Sequence, residues 1–95
     1  MRQMDVAVGK VVYTPVLSEV GGFKSDLTIM RLADSVFRVV TGGAHGMSDL
    51  KWFRDHLTDD AALVDQTTAF TTIGIWRPRS RDIVQSITRA NLSNA

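Results

Sequence analysis

A pair of glycines between two strand-like segments constrains the fold more than any other feature of the sequence. The segment before the pair, Val11–Leu17, reads VVYTPVL and is rich in the β-branched and aromatic residues typical of strands. The segment after it, residues 26–31, alternates with the period of two that a strand requires. Because glycine adopts positive φ angles without steric cost, Gly21 and Gly22 allow the chain to reverse. The sequence therefore predicts a β-hairpin, and Pro15 favours an edge position for its first strand.

Downstream of this hairpin the pattern first completes a sheet and then changes to helical spacing. Residues 36–40 follow a short turn and predict the third strand of a meander. Apolar residues then recur every three or four positions from Leu50 to Leu57, which predicts an amphipathic helix. Ser48 is the predicted N-cap of this helix, and Asp49 suits the helix dipole in its first turn.

The last third of the chain predicts a second strand pair and a final helix. Residues 63–67 and 70–76 have strand-like composition, and Pro78 suits the first turn of a helix. Ile83, Val84 and Ile87 form the predicted buried stripe of that helix. The resulting order, βββαββα, predicts an α+β two-layer sandwich of ferredoxin-like character, with helices on one face of an antiparallel sheet.

Length, charge and cysteine content exclude several classes of function. Ninety-five residues make a single domain, and a formal net charge of +1 gives no basic surface for nucleic acid. No apolar run reaches the ~18 residues that a membrane span needs. The absence of cysteine excludes disulfides, thiolate metal sites and a cysteine nucleophile. We therefore expect a cytoplasmic protein without nucleic-acid or membrane partners.

Two longer motifs carry a family resemblance: residues 9–31, GKVVYTPVLSEVGGFKSDLTIMR, and residues 39–53, VVTGGAHGMSDLKWF. They resemble the folate-binding part of the glycine-cleavage T-protein (aminomethyltransferase) family, in particular the version fused to bacterial dimethylglycine and sarcosine dehydrogenases. The resemblance covers residues 9–87 and implies that residues 1–95 are the central part of such a module. It also implies tetrahydrofolate as cofactor, an amine-derived one-carbon donor as substrate, and no FAD bound by this segment.

Asp26 is the predicted catalytic residue. It follows the Gly-Gly loop beside apolar Leu27, so its carboxylate can be partly desolvated and oriented for acid–base or hydrogen-bond chemistry. From the residues alone, a solvated aspartate that caps the turn is the more common explanation. The resemblance reverses this preference, because it implies an acidic residue beside the reactive nitrogens of tetrahydrofolate that orients one-carbon transfer.

The resemblance also implies three cofactor-binding positions, Tyr13, Val40 and Gly42. Tyr13 can stack on a flat pterin while its hydroxyl finds a polar partner, although a strand tyrosine packed in the core explains the position equally well. Val40 matches a backbone and side-chain contact of the family. Gly42 aligns with a position that carries asparagine in the T-proteins proper, so one hydrogen bond is in doubt and the dehydrogenase-fused branch fits better.

The two histidines do not predict a metal site. His45 lies in a glycine-rich loop without a second ligand nearby, and His56 lies on the predicted helix eleven residues later, which is no metal-ligand spacing. We therefore predict no metal site, and we interpret His45 as a polar loop residue and His56 as a surface residue. The loop at residues 42–46 lacks the lysine and spacing of a phosphate-binding loop.

Two departures from the family pattern bear on activity. Arg77 replaces a turn glycine after the second strand pair, and Ser18 replaces an asparagine in the hairpin loop. Further folate ligands of the family lie downstream of the segment that the resemblance covers, so we expect the chain alone to be inactive or impaired. The alternative is a non-catalytic domain that self-associates or docks to a larger partner, and uncovered apolar strands predict a homodimer.

Overall fold

The computed structural model of the protein describes residues 2–93 and divides the chain into two compact units, Met1–Asp65 and Gln66–Ala95. The first unit contains, after a short 3₁₀ helix at Arg2–Met4, β1 (Val11–Leu17), β2 (Phe23–Ala33), β3 (Val36–Thr41) and α1 (Gly46–Asp55). The second contains a 3₁₀ turn at Thr67–Ala69 and α2 (Ser80–Gln85). The α+β class is therefore confirmed. No helix within residues 2–93 has the length and apolar character needed to cross a membrane.

The three strands form an antiparallel sheet in the order β1-β2-β3. This arrangement confirms the predicted meander and the edge position of the strand that carries Pro15. Gly21, with a φ of +81°, supplies the positive angle of the hairpin loop, while Gly22 does not adopt one. The Gly22 amide donates to the Ser18 hydroxyl at 3.0 Å and the Ser18 amide donates to the Gly22 carbonyl at 2.8 Å, so Ser18 closes the loop.

The core lies on one face of this sheet. Leu27 and Ile29 of β2 are 2% and 5% exposed and cluster with Met4, and each such buried side chain stabilises the fold by about 1.5–3 kcal/mol. Partly buried apolar side chains from β1, the N-terminal segment and α1 pack against this cluster: Val6, Val12, Val16 and Phe53. The opposite face of the sheet carries exposed side chains, among them Val11 and Tyr13.

Helix α1 begins earlier than predicted. It starts at Gly46 with His45 as N-cap, and the predicted N-cap, Ser48, lies within the first turn, where its hydroxyl donates to the His45 carbonyl at 2.9 Å. Asp49 in the first turn accepts hydrogen bonds from Ser25 and Thr41, which ties the start of the helix to the sheet. The helix ends at Asp55, whereas the sequence predicts an end at Asp59 and Asp60, so Leu57 of the apolar stripe lies beyond it.

The predicted second strand pair is absent from the described residues, so the ferredoxin-like order is not confirmed. Residues 63–67 and 70–76 contain no strand, and the only regular structure between them is the 3₁₀ turn. Strand propensity reports how well a side chain packs on a half-buried sheet surface, and it has no effect without a partner strand. Here Val64, Ile73 and Trp76 remain exposed, which shows that no such surface has formed.

The final helix is present but shorter than predicted. It begins at Ser80, two residues after Pro78, and ends at Gln85. Its predicted buried stripe is wrong, because Ile83 and Ile87 are exposed and Val84 is only half-buried. The Gln85 side chain instead organises the following turn, where it donates to the Ala90 carbonyl at 2.8 Å and accepts from the Leu92 amide at 3.1 Å.

Candidate functional site

The structure brings Tyr13 and Asp26 together on the exposed face of the sheet. The Tyr13 hydroxyl donates a hydrogen bond to Oδ2 of Asp26. Tyr13 pairs with Thr28 across β1 and β2, and Asp26 pairs with Pro15, so the two residues are diagonal neighbours on one face. Diagonal positions in an antiparallel pair are about 7–8 Å apart, a distance that an aromatic side chain can span.

This hydrogen bond raises the pKa of Tyr13 above its ordinary value of 10.0. The bond to Asp26 is the main cause, followed by partial desolvation and by the repulsion that the Asp26 charge exerts on a tyrosinate. Tyr13 therefore remains protonated at neutral pH and acts as a hydrogen-bond donor. Tyr13 is 70% exposed, so its side chain is accessible to a ligand.

Two expectations about Asp26 are wrong. The strand does not open at Asp26 but at Phe23, so Asp26 is the fourth residue of β2. Its side chain is also exposed rather than partly desolvated, because it lies on the face of the sheet opposite the core. The carboxylate is oriented by Tyr13 instead of by burial. Its Oδ1 takes part in no hydrogen bond within the described part of the chain.

Val40 lies in the same row of side chains as Tyr13. Val40 pairs with Thr28 across β2 and β3, and Thr28 pairs with Tyr13 across β1 and β2. Residues paired in this way share one face of the sheet. The structure thus places three residues predicted for the site, Tyr13, Asp26 and Val40, on one exposed surface.

Gly42 lies outside this row, one residue beyond the end of β3. Its carbonyl accepts a hydrogen bond from the His45 amide at 3.0 Å, in the turn that leads into α1. A Cβ atom at Gly42 would have the His45 ring at 4.0 Å as its nearest neighbour, so the position has room for a larger residue. Glycine is not required there for steric reasons.

Asp49 is the residue of this region that the sequence did not indicate. It is buried, and its Oδ2 accepts hydrogen bonds from the hydroxyls of Ser25 on β2, at 2.8 Å, and Thr41 on β3. Sequence reasoning assigned Asp49 only to the helix dipole. The available signal was Ser25, a hydroxyl at the buried position of an alternating strand, where a polar partner is required.

The histidines and acidic residues do not form a metal site in residues 2–93, where no three His, Asp or Glu side chains are close enough to share an ion. His45 is the exposed N-cap of α1. His56 lies at the end of α1, exposed as predicted, with its ring 4.1 Å from the ring of Trp52 and its Nδ1 2.8 Å from the Trp52 carbonyl. The His45 backbone thus begins α1, and the His56 side chain contacts Trp52.

Comparison with known proteins identifies the family of the chain. The profile of the GCVT N-terminal domain family matches residues 1–95. The chain is 31% identical over 81 residues to an aminomethyltransferase of Stenotrophomonas maltophilia (strain R551-3), which covers 85% of this chain and 22% of that protein. It is 30% identical over 84 residues to an aminomethyltransferase of Clostridium botulinum (strain Okra / Type B1), covering 87% and 23%.

A third relative has a different name. The chain is 28% identical over 94 residues to the mitochondrial pyruvate dehydrogenase phosphatase regulatory subunit of Mus musculus, covering 97% of this chain and 11% of that protein. The chain therefore spans between 11% and 23% of the length of these relatives. No solved structure matches the chain.

Proposed function

The chain belongs to the GCVT N-terminal domain family, and we propose that it forms the central, tetrahydrofolate-binding part of an aminomethyltransferase module. In such a module a one-carbon unit passes from an amine donor to tetrahydrofolate. The single observation that carries the proposal is the hydrogen bond from Tyr13 to Asp26 on an exposed sheet face. The family resemblance had assigned these two residues to the same ligand although thirteen positions separate them.

The surface fits one side of a folate ring system. A pterin is flat and aromatic with polar N–H groups at its edge, so it needs an aromatic or apolar contact and hydrogen-bond acceptors. Tyr13 and Val40 supply the aromatic and apolar contact. Asp26 supplies the hydrogen-bond acceptor through Oδ1, since its Oδ2 accepts the hydrogen bond from Tyr13. The face is open, so in this proposal residues 1–95 contribute one wall of the folate site.

Each residue then has a defined role. The Asp26 carboxylate accepts a hydrogen bond from a folate nitrogen and holds that nitrogen toward the one-carbon donor. A carboxylate in this position can also accept the proton that the nitrogen loses when it forms a new bond to carbon. Tyr13 fixes the carboxylate through its hydroxyl and contacts the ring, and its raised pKa ensures that the hydroxyl keeps its proton.

Calorimetric titration of the 95-residue chain with tetrahydrofolate tests the proposal. We expect binding that Asp26→Ala weakens by ~10- to 150-fold, because a hydrogen bond to a charged group is lost. Tyr13→Phe should weaken binding less, since the ring remains. Asp59→Ala removes an equal charge from an exposed loop and serves as the matched control. Equal affinities for Asp26→Ala and the wild-type chain would remove Asp26 from the site.

The branch of the family and the amine donor are further parts of the proposal. We place the chain with the modules of dimethylglycine and sarcosine dehydrogenases, because Gly42 stands where T-proteins carry asparagine. Restoring the amide with Gly42→Asn is sterically allowed. Tighter tetrahydrofolate binding by this variant would indicate a site that has lost one contact, while unchanged affinity would indicate that position 42 faces no ligand.

The alternative is a domain that associates with itself or with a partner without catalysis. The observation that favours it is the exposed apolar surface of the edge strand β1, where Val11 and Leu17 are 58% and 50% exposed. Edge strands with apolar side chains recruit other strands. Light scattering tests this alternative: a homodimer has twice the 10.5 kDa mass of the chain, and a monomer at micromolar concentration would count against it.

A further inference from the structure

Asp49 is a buried carboxylate that no contact of the proposed folate site uses. Only 7% of its surface is exposed, and its Oδ2 accepts hydrogen bonds from the Ser25 and Thr41 hydroxyls. An ionised group is costly to bury unless hydrogen bonds compensate for the lost water. These two donors therefore fix where Asp49 lies, and Asp49 in turn fixes the two strands that carry the donors.

Each donor is adjacent in sequence to residues of the proposed site. Ser25 precedes Asp26 on β2, and Thr41 lies between Val40 and Gly42 at the end of β3. Successive side chains of a strand point to opposite faces. A hydroxyl held on the buried face therefore orients its neighbour on the exposed face, and one carboxylate does this for two strands at once.

The start of β2 is an irregular part of the sheet, where such an anchor has a clear effect. Val16 pairs with Ser25 but the next residue, Leu17, pairs with Phe23, so the register shifts at this point and Lys24 is bulged. A bulge redirects side chains, and a slip of one residue would turn Asp26 to the opposite face. Ser25 is the first paired residue after the bulge, and its bond to Asp49 opposes that slip.

We propose that Asp49 is a positioning residue: through Ser25 and Thr41 it holds Asp26 within reach of the Tyr13 hydroxyl and fixes the end of β3 beside them. The inference rests on the proposed function only in taking tetrahydrofolate as the ligand of this surface. The geometry that Asp49 maintains, the contact between Tyr13 and Asp26, can be measured without any ligand.

Tyrosinate absorbance during a pH titration of the full chain measures that contact. Tyr13 is the only tyrosine, and its bond to Asp26 is the main cause of its raised pKa. We expect Asp49→Ala to lower the Tyr13 pKa toward 10.0 and Ser25→Ala to lower it by a smaller amount. Asp49→Ala should also weaken tetrahydrofolate binding by ~10-fold, the lower end of the loss expected for Asp26→Ala.

Two further variants keep the test decisive. Ile29→Val removes one methyl group from the same core without touching a hydrogen bond, and it should leave the Tyr13 pKa unchanged. Ser25→Ala removes only one hydroxyl and carries the test if Asp49→Ala does not fold. An unchanged Tyr13 pKa in folded Ser25→Ala would overturn the proposal, and so would an equal fall in Ile29→Val.

The Tyr13 pKa tests the positioning role of Asp49, and the tetrahydrofolate affinity of the wild-type chain tests the proposed function. If the wild-type chain binds no tetrahydrofolate but the Tyr13 pKa falls in Asp49→Ala or Ser25→Ala, the positioning role stands and the folate function fails. If the wild-type chain binds tetrahydrofolate and both variants keep its affinity and the Tyr13 pKa, the function stands and the positioning role fails.

Discussion

The units Met1–Asp65 and Gln66–Ala95 both contain large apolar side chains, but only the first buries them. Leu27 and Ile29 lie under α1 and the N-terminal segment, whereas no residue between 66 and 93 is buried. Trp76, in the second unit, is 79% exposed. The difference shows that apolar composition does not by itself produce a core.

The physical reason is that the first unit has a sheet. Paired strands bring side chains that are distant in sequence onto one face, where a helix can cover them. The second unit has one 3₁₀ turn and a helix of six residues. Isolated helices shorter than about 12–15 residues are marginal in water, so α2 cannot organise a core alone. The four predictions below test this contrast.

The largest effect should come from the core of the first unit. Leu27→Ala removes a nearly fully buried side chain and should lower the free energy of unfolding by about 2–5 kcal/mol. Ile73→Ala, its matched control in the second unit, should change it by less than about 0.5 kcal/mol, because Ile73 is exposed. Urea denaturation measures Leu27→Ala by the fluorescence of Trp52 in a Trp76→Phe background, and Ile73→Ala by the fluorescence of Trp76 in a Trp52→Phe background. If both variants lost a similar free energy of unfolding, the second unit would have a core as well.

Backbone conformation gives the next largest effect, in the hairpin of the first unit. Gly21 has a φ of +81°, a region that residues with a Cβ atom occupy at a cost of about 1–2 kcal/mol. We expect Gly21→Ala to destabilise the chain by that amount. Gly22→Ala is an informative comparison, since Gly22 has no positive φ but a Cβ there would lie 3.1 Å from the Ser18 hydroxyl. If Gly21→Ala left the free energy of unfolding unchanged, the positive φ assigned to this loop would be wrong.

In the second unit, a residue other than glycine has a positive φ, so glycine should stabilise rather than alanine destabilise. Arg77 has a φ of +117°, in the region that favours glycine, and the resemblance implies a turn glycine at this position. Arg77→Gly should stabilise the second unit by about 0.5–1 kcal/mol, because the relief of strain exceeds the extra freedom of glycine in the unfolded chain. The fluorescence of Trp76 in a Trp52→Phe background reports on this unit. Arg79→Gly, which relieves no such strain, should not stabilise it.

The hairpin was predictable because its sequence signals are local. Tyr13 and Asp26 were candidate site residues because of the family resemblance. Glycines and period-two alternation specify a hairpin from neighbouring residues alone, and Tyr13 and Asp26 fall on its two strands. Gly21 confirmed the positive φ, and Arg77, which the resemblance places at a turn glycine, also has a positive φ. The resemblance supplied the roles of both site residues.

The failures have a common cause, which is dependence on distant partners. Residues 63–67 and 70–76 have strand composition, but a strand forms only where another strand offers its hydrogen bonds. Asp49 is buried because Ser25 and Thr41, 24 and 8 residues away, donate to it. The local sequence pattern predicts neither the missing strand pair nor the burial of Asp49. Asp26 was expected to be partly desolvated for the same reason: the face that a strand residue takes depends on its register.

The smallest effect on stability should come from the titration of Tyr13, which lies in the first unit. The raised pKa of Tyr13 means that folding favours the protonated phenol. The bond to Asp26 is exposed, so the stabilisation from it is small. That stabilisation is complete below pH 10.0, the ordinary value, and is lost as the pH rises through the higher folded value. Because Tyr13 is the only tyrosine, tyrosinate absorbance reports on the first unit alone. We expect Asp26→Ala to shift the titration down toward 10.0 and to leave the melting temperature at pH 7 almost unchanged. A fall of several degrees with unchanged folate affinity would instead identify Asp26 as a structural residue of the hairpin, and the site would lose its acceptor.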